Sequence, residues 1–375
     1  MAGIYLHIPF CKQACTYCNF HFSTSLKLKD EVMDAMLREL EVQRSYLAGQ
    51  PVETIYFGGG TPSILPVDDV QRLIDKIFSL YDVSSLKECT LEANPDDLTT
   101  TYLRSLRHTP INRFSIGVQS FKEADLRYMN RAHTAKEADY AIKAAQDAGF
   151  PNLSIDLIYG TPNLTDAEWK QHLSVVKELQ VPHFSAYALT VEEGTALHHS
   201  IFKKATAPVD AGQAARQFRL LMEEAERHGY EHYEISNLAL PGRYAVHNTN
   251  YWKGVPYLGI GPAAHSFDGE ARRWNIANNA LYAKGILLDN KLPYEEEKLT
   301  AEQQLNEYTM TSLRTMWGCD LDRVTNRWGA EATSRILNEA ARHIDKGLII
   351  QKDNVLLLTT EGKLFADSIA ADLFI

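Results

Sequence analysis

Short apolar, β-rich runs alternate with longer helical patterns over the first half of the chain. The candidate strands are Gly3–Ile8, Glu53–Phe57, Glu88–Glu92, Asn112–Val118, Leu153–Ile158 and His183–Leu189. The candidate helices between them are Lys27–Leu47, Pro66–Tyr81, Thr99–Leu106, Thr134–Ala148 and Thr165–Leu179. Repeated strand–helix alternation predicts a parallel sheet with right-handed crossovers. Periodicity alone leaves two α/β architectures open, a partial barrel and an open doubly wound sheet.

The pattern changes twice beyond this region. A helical stretch over Val209–His228 ends at Gly229, and residues 230–276 predict short strands and loops. The last part predicts three helices, a β-hairpin around Lys352-Asp353-Asn354 and a final helix, which is a winged-helix pattern. We therefore predict three units: a barrel or sheet domain over 1–230, a β-rich extension over 231–295 and a small winged-helix-like domain over 296–375.

Composition narrows the functional class. The 375 residues carry a formal net charge of −10, with 45% hydrophobic and 23% charged residues, as in ordinary globular chains. An acidic chain is a poor binder of nucleic acid, whose affinity depends on neutralising phosphates. No apolar run is long enough for a transmembrane helix, and the N-terminus lacks the basic region of a signal peptide. We expect a cytoplasmic protein with no nucleic-acid partner.

Three of the five cysteines lie within eight residues, at Cys11, Cys15 and Cys18, directly after the first predicted strand. Clustered thiols in a reducing compartment indicate a metal site. An iron–sulfur cluster held by three thiolates leaves one iron open to an external ligand, whereas zinc requires a fourth protein ligand. His21 could be that ligand, so a zinc-stabilised binding module remains an alternative at this point.

The C-x3-C-x2-C spacing, with Tyr17 before the last cysteine, resembles the radical S-adenosylmethionine (SAM) superfamily. The resemblance implies a partial (β/α)6 barrel and a [4Fe–4S] cluster whose open iron chelates SAM. In that superfamily an electron from the cluster cleaves SAM to a 5′-deoxyadenosyl radical. The tasks of such a protein are to hold the cofactor, tune the cluster and exclude water and oxygen.

Further polar residues and glycines follow the predicted strands. Gly58-Gly59-Gly60-Thr61-Pro62 ends the second strand and matches the GGGTP segment of radical SAM enzymes. The later polar residues match positions that bind SAM in the coproporphyrinogen dehydrogenase-like branch. By this resemblance, SAM contacts are expected from Tyr5, Tyr17, Gly59, Gly60, Thr61, Glu92, Gln119, Arg131, Asp156 and Ala188. For each charged residue taken alone, a structural ion pair is the alternative.

Two features separate the members of this branch. Oxygen-independent coproporphyrinogen III dehydrogenases, which decarboxylate propionate side chains, carry a further cysteine two residues after the cluster motif, and this position is Phe20 here. The chain also reads His247-Asn248-Thr249-Asn250-Tyr251-Trp252, which resembles the H-N-x-x-Y-W segment of HemW-type haem chaperones. Dehydrogenase activity is therefore doubtful, and we expect haem contacts from His247, Asn248, Tyr251 and Trp252.

An imidazole can ligate haem iron, and Tyr251 and Trp252 offer flat faces for a porphyrin. Candidate partners for the haem propionates are Arg243, Arg272 and Arg273. The alternative is that His247 is a hydrogen-bonded histidine and the aromatic residues pack a core. Gly259-Ile-Gly-Pro-Ala-Ala resembles a dinucleotide fingerprint, but no helix is expected to start there.

The resemblance thus implies a haem chaperone with haem as its cargo, in which the cluster and SAM have a structural or triggering role. The partners it implies are client haemoproteins, such as respiratory enzymes, and an electron donor, and a homodimer is one of the oligomeric states left open. The alternatives are a coproporphyrinogen III dehydrogenase and a zinc-stabilised module. Residues 301–375 hold 8 Lys/Arg and 11 Asp/Glu, which favours a cap over the barrel rather than a DNA-binding domain.

Overall fold

The computed structural model describes all 375 residues. Six parallel strands pair with each other in chain order and form the centre of the molecule. They are β1 (Ala2–Ile8), β2 (Val52–Gly59), β3 (Glu88–Ala93), β4 (Arg113–Gln119), β5 (Leu153–Tyr159) and β6 (His183–Ala188). The parallel sheet that the alternating pattern predicts is confirmed, in the form of a partial barrel.

Helices connect these strands and cover the outside of the sheet. They are α1 (Lys29–Val42), α2 (Val67–Leu80), α3 (Thr100–Leu106), α4 (Glu123–Tyr128), α5 (Ala135–Asp147), α6 (Asp166–Glu178), α7 (Ala196–Phe202) and α8 (Ala211–Arg227). Capping boxes begin two of them, with Thr134 and Glu137 at the start of α5 and Thr165 and Glu168 at the start of α6. The sequence pattern does not predict the short helices α4 and α7.

Alternation along the strands sorts the side chains into two layers. On β4, Phe114, Ile116 and Val118 belong to a core of 58 buried residues between the strands and the helices. The intervening residues include Arg113 and Ser115, and Ser115 lines an internal cavity. Successive side chains of a strand point to opposite faces. The barrel therefore has an apolar exterior layer under the helices and a polar interior.

The predicted β-rich extension lengthens the barrel sheet at both edges. It contains β7 (Glu231–Glu234), β8 (Asn237–Ala239), α9 (Val246–Trp252), β9 (Tyr257–Ile260), β10 (His265–Phe267), β11 (Ala271–Asn275), α10 (Asn279–Leu287) and β12 (Tyr294–Lys298). Strand β8 pairs antiparallel with β6, and β9 pairs parallel with β1. The result is one sheet of twelve strands.

Helix α9 corrects the prediction of strands and loops alone for residues 230–276. Its first backbone N–H groups, those of Val246 and His247, donate to the Glu88 carboxylate at 2.8 and 3.1 Å. Helix termini need such acceptors for their unpaired N–H groups. Because this cap comes from a residue far away in the chain, the local sequence gives no helix-start signal.

The C-terminal part has a core of its own, with 12 buried residues. Its elements are α11 (Ala301–Leu313), β13 (Cys319–Asp320), α12 (Leu321–Trp328), α13 (Ala330–Asp345), β14 (Ile349–Lys352), β15 (Val355–Leu358) and α14 (Ala366–Asp372). The three helices and the hairpin match the predicted pattern. An ion pair between Arg314 and Glu234 ties this part to the extension. None of the helices combines the length and apolar composition that a membrane span requires.

The dinucleotide-like glycines have a structural explanation. Gly259 lies within β9, where a Cβ atom would overlap the carbonyl group of His265. Gly261 has a φ of 107°, and a Cβ there would press on the carbonyl oxygen of His7. No helix starts at this turn. The glycines allow β9 to pack closely against its neighbours, as glycine does where backbones approach.

Candidate functional site

The three clustered cysteines lie on the loop that leaves the carboxyl end of β1, and all are partly buried. Thr61 donates a hydrogen bond to Sγ of Cys11 at 3.4 Å, and Arg131 donates to Sγ of Cys15 at 3.2 Å. Burial raises the pKa of the Cys11 thiol to about 11, and the Thr61 hydrogen bond opposes that shift. Hydrogen-bond donors of this kind stabilise thiolates and tune iron–sulfur clusters. The loop therefore fits a cluster held by three thiolates.

His21, the candidate fourth zinc ligand, is directed elsewhere. Its Nε2 lies 2.7 Å from Oδ1 of Asn279. Through this contact with Asn279, His21 joins the cysteine loop to α10.

Arg131 connects the cysteine loop to the ends of two strands. Its Nη2 donates to Oδ1 of Asn94 at 2.6 Å and to the carbonyl of Gly117 at 2.8 Å. Asn94 in turn donates to Oγ1 of Thr61 at 3.4 Å. Charge-assisted hydrogen bonds are the strong ones. A continuous chain therefore runs from Cys15 through Arg131, Asn94 and Thr61 to Cys11.

Asn94 is a residue that the sequence analysis missed. Its signal was available, since it follows Glu92 in the polar Leu-Glu-Ala-Asn-Pro end of β3.

The glycine turn at the end of β2 packs against β1 and the start of the cysteine loop. Gly59 has a φ of 105°, and a Cβ there would meet the His7 ring at 2.6 Å. A Cβ on Gly60 would meet the carbonyl oxygen of Phe10 at 2.6 Å. Thr61 N–H donates to that same carbonyl at 2.7 Å. Glycine is required here by close approach as well as by φ. The expected contact of this turn with SAM stays a prediction.

The barrel encloses a polar cavity of about 290 Å³, which we call the inner chamber. Its lining includes Tyr5, Tyr56, Glu92, Ser115, Asp156, Ser185, Tyr187, Asn237, Asn248, Tyr251 and Trp252. Tyr56 donates to Glu92 Oε1 at 2.7 Å. Burial raises the pKa of Glu92 to about 7 and that of Asp156 to about 6. Two carboxyl groups thus face a chamber where charge is costly without a partner.

Arg113, at the start of β4, is the cation that opposes these carboxyl groups. It is 1% exposed, and none of its three guanidinium nitrogens has a hydrogen-bond partner. Its Nε lies 3.8 Å from Oε2 of Glu88, and its charge lowers the pKa of both Glu92 and Asp156. The sequence analysis missed Arg113, because Asn-Arg-Phe-Ser has no local feature that marks a buried charge.

The other residues expected at SAM lie at the same edge of the sheet. Gln119 ends β4 with a φ of 66°, and Ala188 ends β6. Tyr17 packs against the small apolar cluster around Met129 and Ile158. Since carboxyl ends of parallel strands share one edge, the structure gathers the expected residues around the cysteine loop and the inner chamber. Their individual roles stay predictions.

Helix α9 carries the residues expected at haem, but His247 differs from the other three. It is buried, with Nδ1 at 2.8 Å from Thr54 Oγ1 and Nε2 at 2.7 Å from Tyr251 Oη. Burial lowers the pKa of this imidazole to about 3. Both ring nitrogens are occupied, which matches the alternative of a hydrogen-bonded histidine. Asn248, Tyr251 and Trp252 instead line the inner chamber.

A second cavity, of about 320 Å³, lies between α9, the adjoining strands and the C-terminal part; we call it the outer cleft. Tyr251 and Trp252 line both cavities and so form the wall between them. Of the three arginines expected at propionates, Arg272 lines the outer cleft. Arg273 pairs with Glu296 at 2.7 Å, and Arg243 lines neither cavity.

Comparison with known proteins agrees with this architecture. A family model described as the radical SAM superfamily matches residues 5–176. The haem chaperone HemW of Bacillus subtilis (strain 168) is 32% identical over 373 residues, covering 98% of each chain. HemW of Escherichia coli (strain K12) is 36% identical over 268 residues, 70% of this chain and 69% of that one.

Among solved structures, the coproporphyrinogen III oxidase HemN of Escherichia coli, a radical SAM enzyme, superposes with a TM-score of 0.86. It is 22% identical, and the match covers 100% of this chain and 90% of that one. The likeness shows a shared fold and confirms the radical-SAM partial barrel. The chain belongs to the radical SAM superfamily and, within it, to the HemW family. Membership in that superfamily implies a [4Fe–4S] cluster and SAM.

Proposed function

We propose that the protein binds haem and passes it to client haemoproteins, with a SAM-chelating [4Fe–4S] cluster held in the barrel. The observation that carries the proposal is the aromatic pair Tyr251 and Trp252 on α9, which is exposed to a cavity on each of its two sides. Full-length similarity to proteins named haem chaperones supports it. Flat aromatic faces are suited to a porphyrin.

Phe20 supports a chaperone over a porphyrinogen-decarboxylating enzyme. It occupies the position where the dehydrogenases carry a further cysteine, and 69% of its surface is exposed. A phenyl ring has no ionisable or redox-active group. The alternative activity therefore lacks one of its functional groups in this chain.

His247 acts in this proposal by positioning α9. Through Thr54 it anchors the helix to β2, and through Tyr251 it orients an aromatic wall residue. Ligation of haem iron by His247, as expected from the sequence, would require one of its two ring contacts to break. Asn248, Tyr251 and Trp252 reach a cavity without such a rearrangement.

Cys11, Cys15 and Cys18 would hold the cluster, which when bound supplies single electrons to the sulfonium of SAM. The expected SAM contacts come from Tyr5, Tyr17, Gly59, Gly60, Thr61, Glu92, Gln119, Arg131, Asp156 and Ala188. Arg131 and Thr61 donate hydrogen bonds to two of the sulfurs. Arg113 provides a counter-charge that allows Glu92 and Asp156 to ionise within the barrel. We propose a cytoplasmic location, with an electron donor as a further partner.

The test is an anaerobic haem titration of the reconstituted protein, run beside a coproporphyrinogen decarboxylation assay with SAM and a reductant. We expect a saturable Soret band and no decarboxylation. Stoichiometric decarboxylation of coproporphyrinogen would replace the proposal with the dehydrogenase alternative. Metal analysis of the same sample should give about four irons per chain, whereas zinc without iron would favour a zinc-stabilised module.

A further inference from the structure

The outer cleft has two aromatic walls that come from different parts of the chain. Trp252, Tyr257 and Phe267 form the wall on the barrel side. Tyr308 and Trp328 form the wall on the C-terminal side, with their rings stacked at 28° and 5.6 Å apart. The volume of about 320 Å³ is within the range of small-molecule sites. The cleft is therefore suited to a flat aromatic ligand.

The rim of the cleft is positively charged although the protein is acidic. Four basic residues line it, Lys253, Arg272, Arg323 and Arg327, against one carboxylate, Glu307. Arg272 pairs with Glu307, but the other three have no carboxylate within ion-pair distance. The chain as a whole has a net charge of −10. A local positive rim on such a protein favours an anionic ligand.

Two of these cations already lie over the C-terminal wall. The Arg323 guanidinium is 4.5 Å from the centre of the Tyr308 ring, and that of Arg327 is 4.9 Å from the Trp328 ring. Stacking on an aromatic face holds a guanidinium beside the ring and leaves its edge free to donate. The Arg327 Nη2 donates to Oε1 of Gln304 at 2.7 Å, and its other N–H groups remain available. Arginine in this arrangement can form paired hydrogen bonds with a carboxylate.

We infer that the outer cleft is the haem-binding site, with the porphyrin between the two aromatic walls of the cleft and its propionates on Arg323 and Arg327. The inference rests on the proposed haem-binding function and specifies where that function resides. A flat apolar macrocycle with two carboxylates matches both the aromatic walls and the cationic rim. Half of the site then belongs to the C-terminal part, for which the sequence analysis expects only a role as a cap.

The arrangement keeps haem outside the barrel. Tyr251 and Trp252 stand between the outer cleft and the inner chamber. Cargo in the cleft is thus separated by an aromatic layer from the carboxyl groups of Glu92 and Asp156. Because haem and SAM are kept apart, the protein can carry haem beside a SAM site without using haem as a substrate.

The test is an anaerobic titration of the full-length protein with haem and with haem dimethyl ester, which lacks free carboxylates. The variant is R323E/R327E, and the matched control is R335E, an arginine on α13 that does not line the cleft. We expect wild-type protein and R335E to bind haem equally. R323E/R327E should bind haem at least about tenfold more weakly, because it loses the charge-assisted hydrogen bonds to both propionates.

The ester identifies the contact that is lost. Wild-type protein should bind the ester more weakly than haem, whereas R323E/R327E, whose new carboxylates repel the propionates, should bind the ester at least as tightly as haem. If wild-type protein binds haem and R323E/R327E binds it with unchanged affinity, the outer cleft is not the site, although the proposed function stands. If wild-type protein binds no haem, the proposed function itself fails. Unchanged iron content and far-UV circular dichroism show that the variant is folded.

Discussion

The inner chamber and the outer cleft are neighbouring cavities whose linings differ in polarity and in the sign of their charge. In the chamber, the partly buried carboxyl groups of Glu92 and Asp156 have Arg113 as a counter-charge, and the cysteine loop lies at the carboxyl edge of the sheet. In the cleft, aromatic walls carry cations that no carboxylate neutralises, at the protein surface. A site of the first kind suits a polar cofactor held away from water, and one of the second kind suits an amphipathic ligand that must leave.

A single layer of side chains separates the two cavities. Tyr251 and Trp252 line both, and His247 fixes that layer through its contact with Tyr251. Under the proposed assignment, the cofactor and the cargo are bound by separate residues of one chain. Changes on one side should therefore leave the other side intact, and the following variants test this independence.

The largest expected effect is that of Cys15→Ala on the cluster. A cluster with three protein thiolates loses one of them, together with the sulfur that accepts from Arg131. We expect loss of essentially all cluster absorbance and iron after anaerobic reconstitution, with haem affinity unchanged. Cys89→Ala is the control, because Cys89 is buried within β3, away from the loop. Full iron content in Cys15→Ala would refute its assignment as a ligand.

Arg113→Met should affect the stability of the barrel most strongly. The substitution removes the cation that faces Glu88, Glu92 and Asp156, which leaves buried carboxyl groups uncompensated. We expect the free energy of unfolding in urea to fall by about 3–5 kcal/mol. Arg335→Met, on the helix α13 far from the barrel interior, should change it by about 0.5 kcal/mol or less. Equal stability of the two variants would mean that Arg113 balances no charge.

Glu92→Gln removes the negative charge of Glu92 from the inner chamber but keeps the hydrogen bond from Tyr56. The Gln side chain can still accept from Tyr56, so the effect isolates the negative charge. If Glu92 contacts SAM, affinity for SAM should fall about tenfold in equilibrium dialysis of the reconstituted protein, while haem affinity stays the same. R323E/R327E should show the reverse behaviour. A loss of haem affinity in Glu92→Gln would show that the two regions are not independent.

The smallest expected effect is on the pH dependence of the free energy of unfolding, and it comes from His247, which contacts the wall residue Tyr251. Burial lowers the pKa of His247 to about 3 in the folded protein, whereas an unfolded histidine titrates near about 6.5. As pH falls below about 6.5, the unfolded chain takes up a proton that the folded protein does not, so this residue favours unfolding at acid pH. Glu92 and Asp156, with raised pKa values, act in the opposite sense in the same range.

His247→Asn should therefore reduce the slope of unfolding free energy against pH between about 5 and 6.5 by at most about 1.4 kcal/mol per pH unit. The measurement is urea unfolding across that range. An unaltered slope would mean that His247 has the same pKa in the folded and the unfolded protein. The Soret spectrum of the same variant tests ligation, since a direct iron ligand would change the band, whereas a positioning residue would change affinity alone.

The sequence alone determined those features of the protein that depend on residues close together in the chain. The strand pattern predicts β1 to β6 within a few residues, because runs of buried residues leave a direct trace in the sequence. Thr134 and Thr165 mark two helix starts through capping boxes that span four residues. The spacing of Cys11, Cys15 and Cys18 predicts a metal site, since all three proposed ligands lie on one loop.

Features that depend on distant partners were decided only by the tertiary structure. Glu88 caps α9 across more than 150 residues, and that contact turns a predicted loop into a helix. Arg113 is a counter-charge only because the barrel places three carboxylates around it. The outer cleft joins Trp252 to Trp328, which share no sequence pattern. Caps and ligand spacings depend on neighbouring residues, so the sequence shows them directly. Cavities and the pairing of buried charges depend on packing between segments that lie far apart along the chain, so only the tertiary structure shows them.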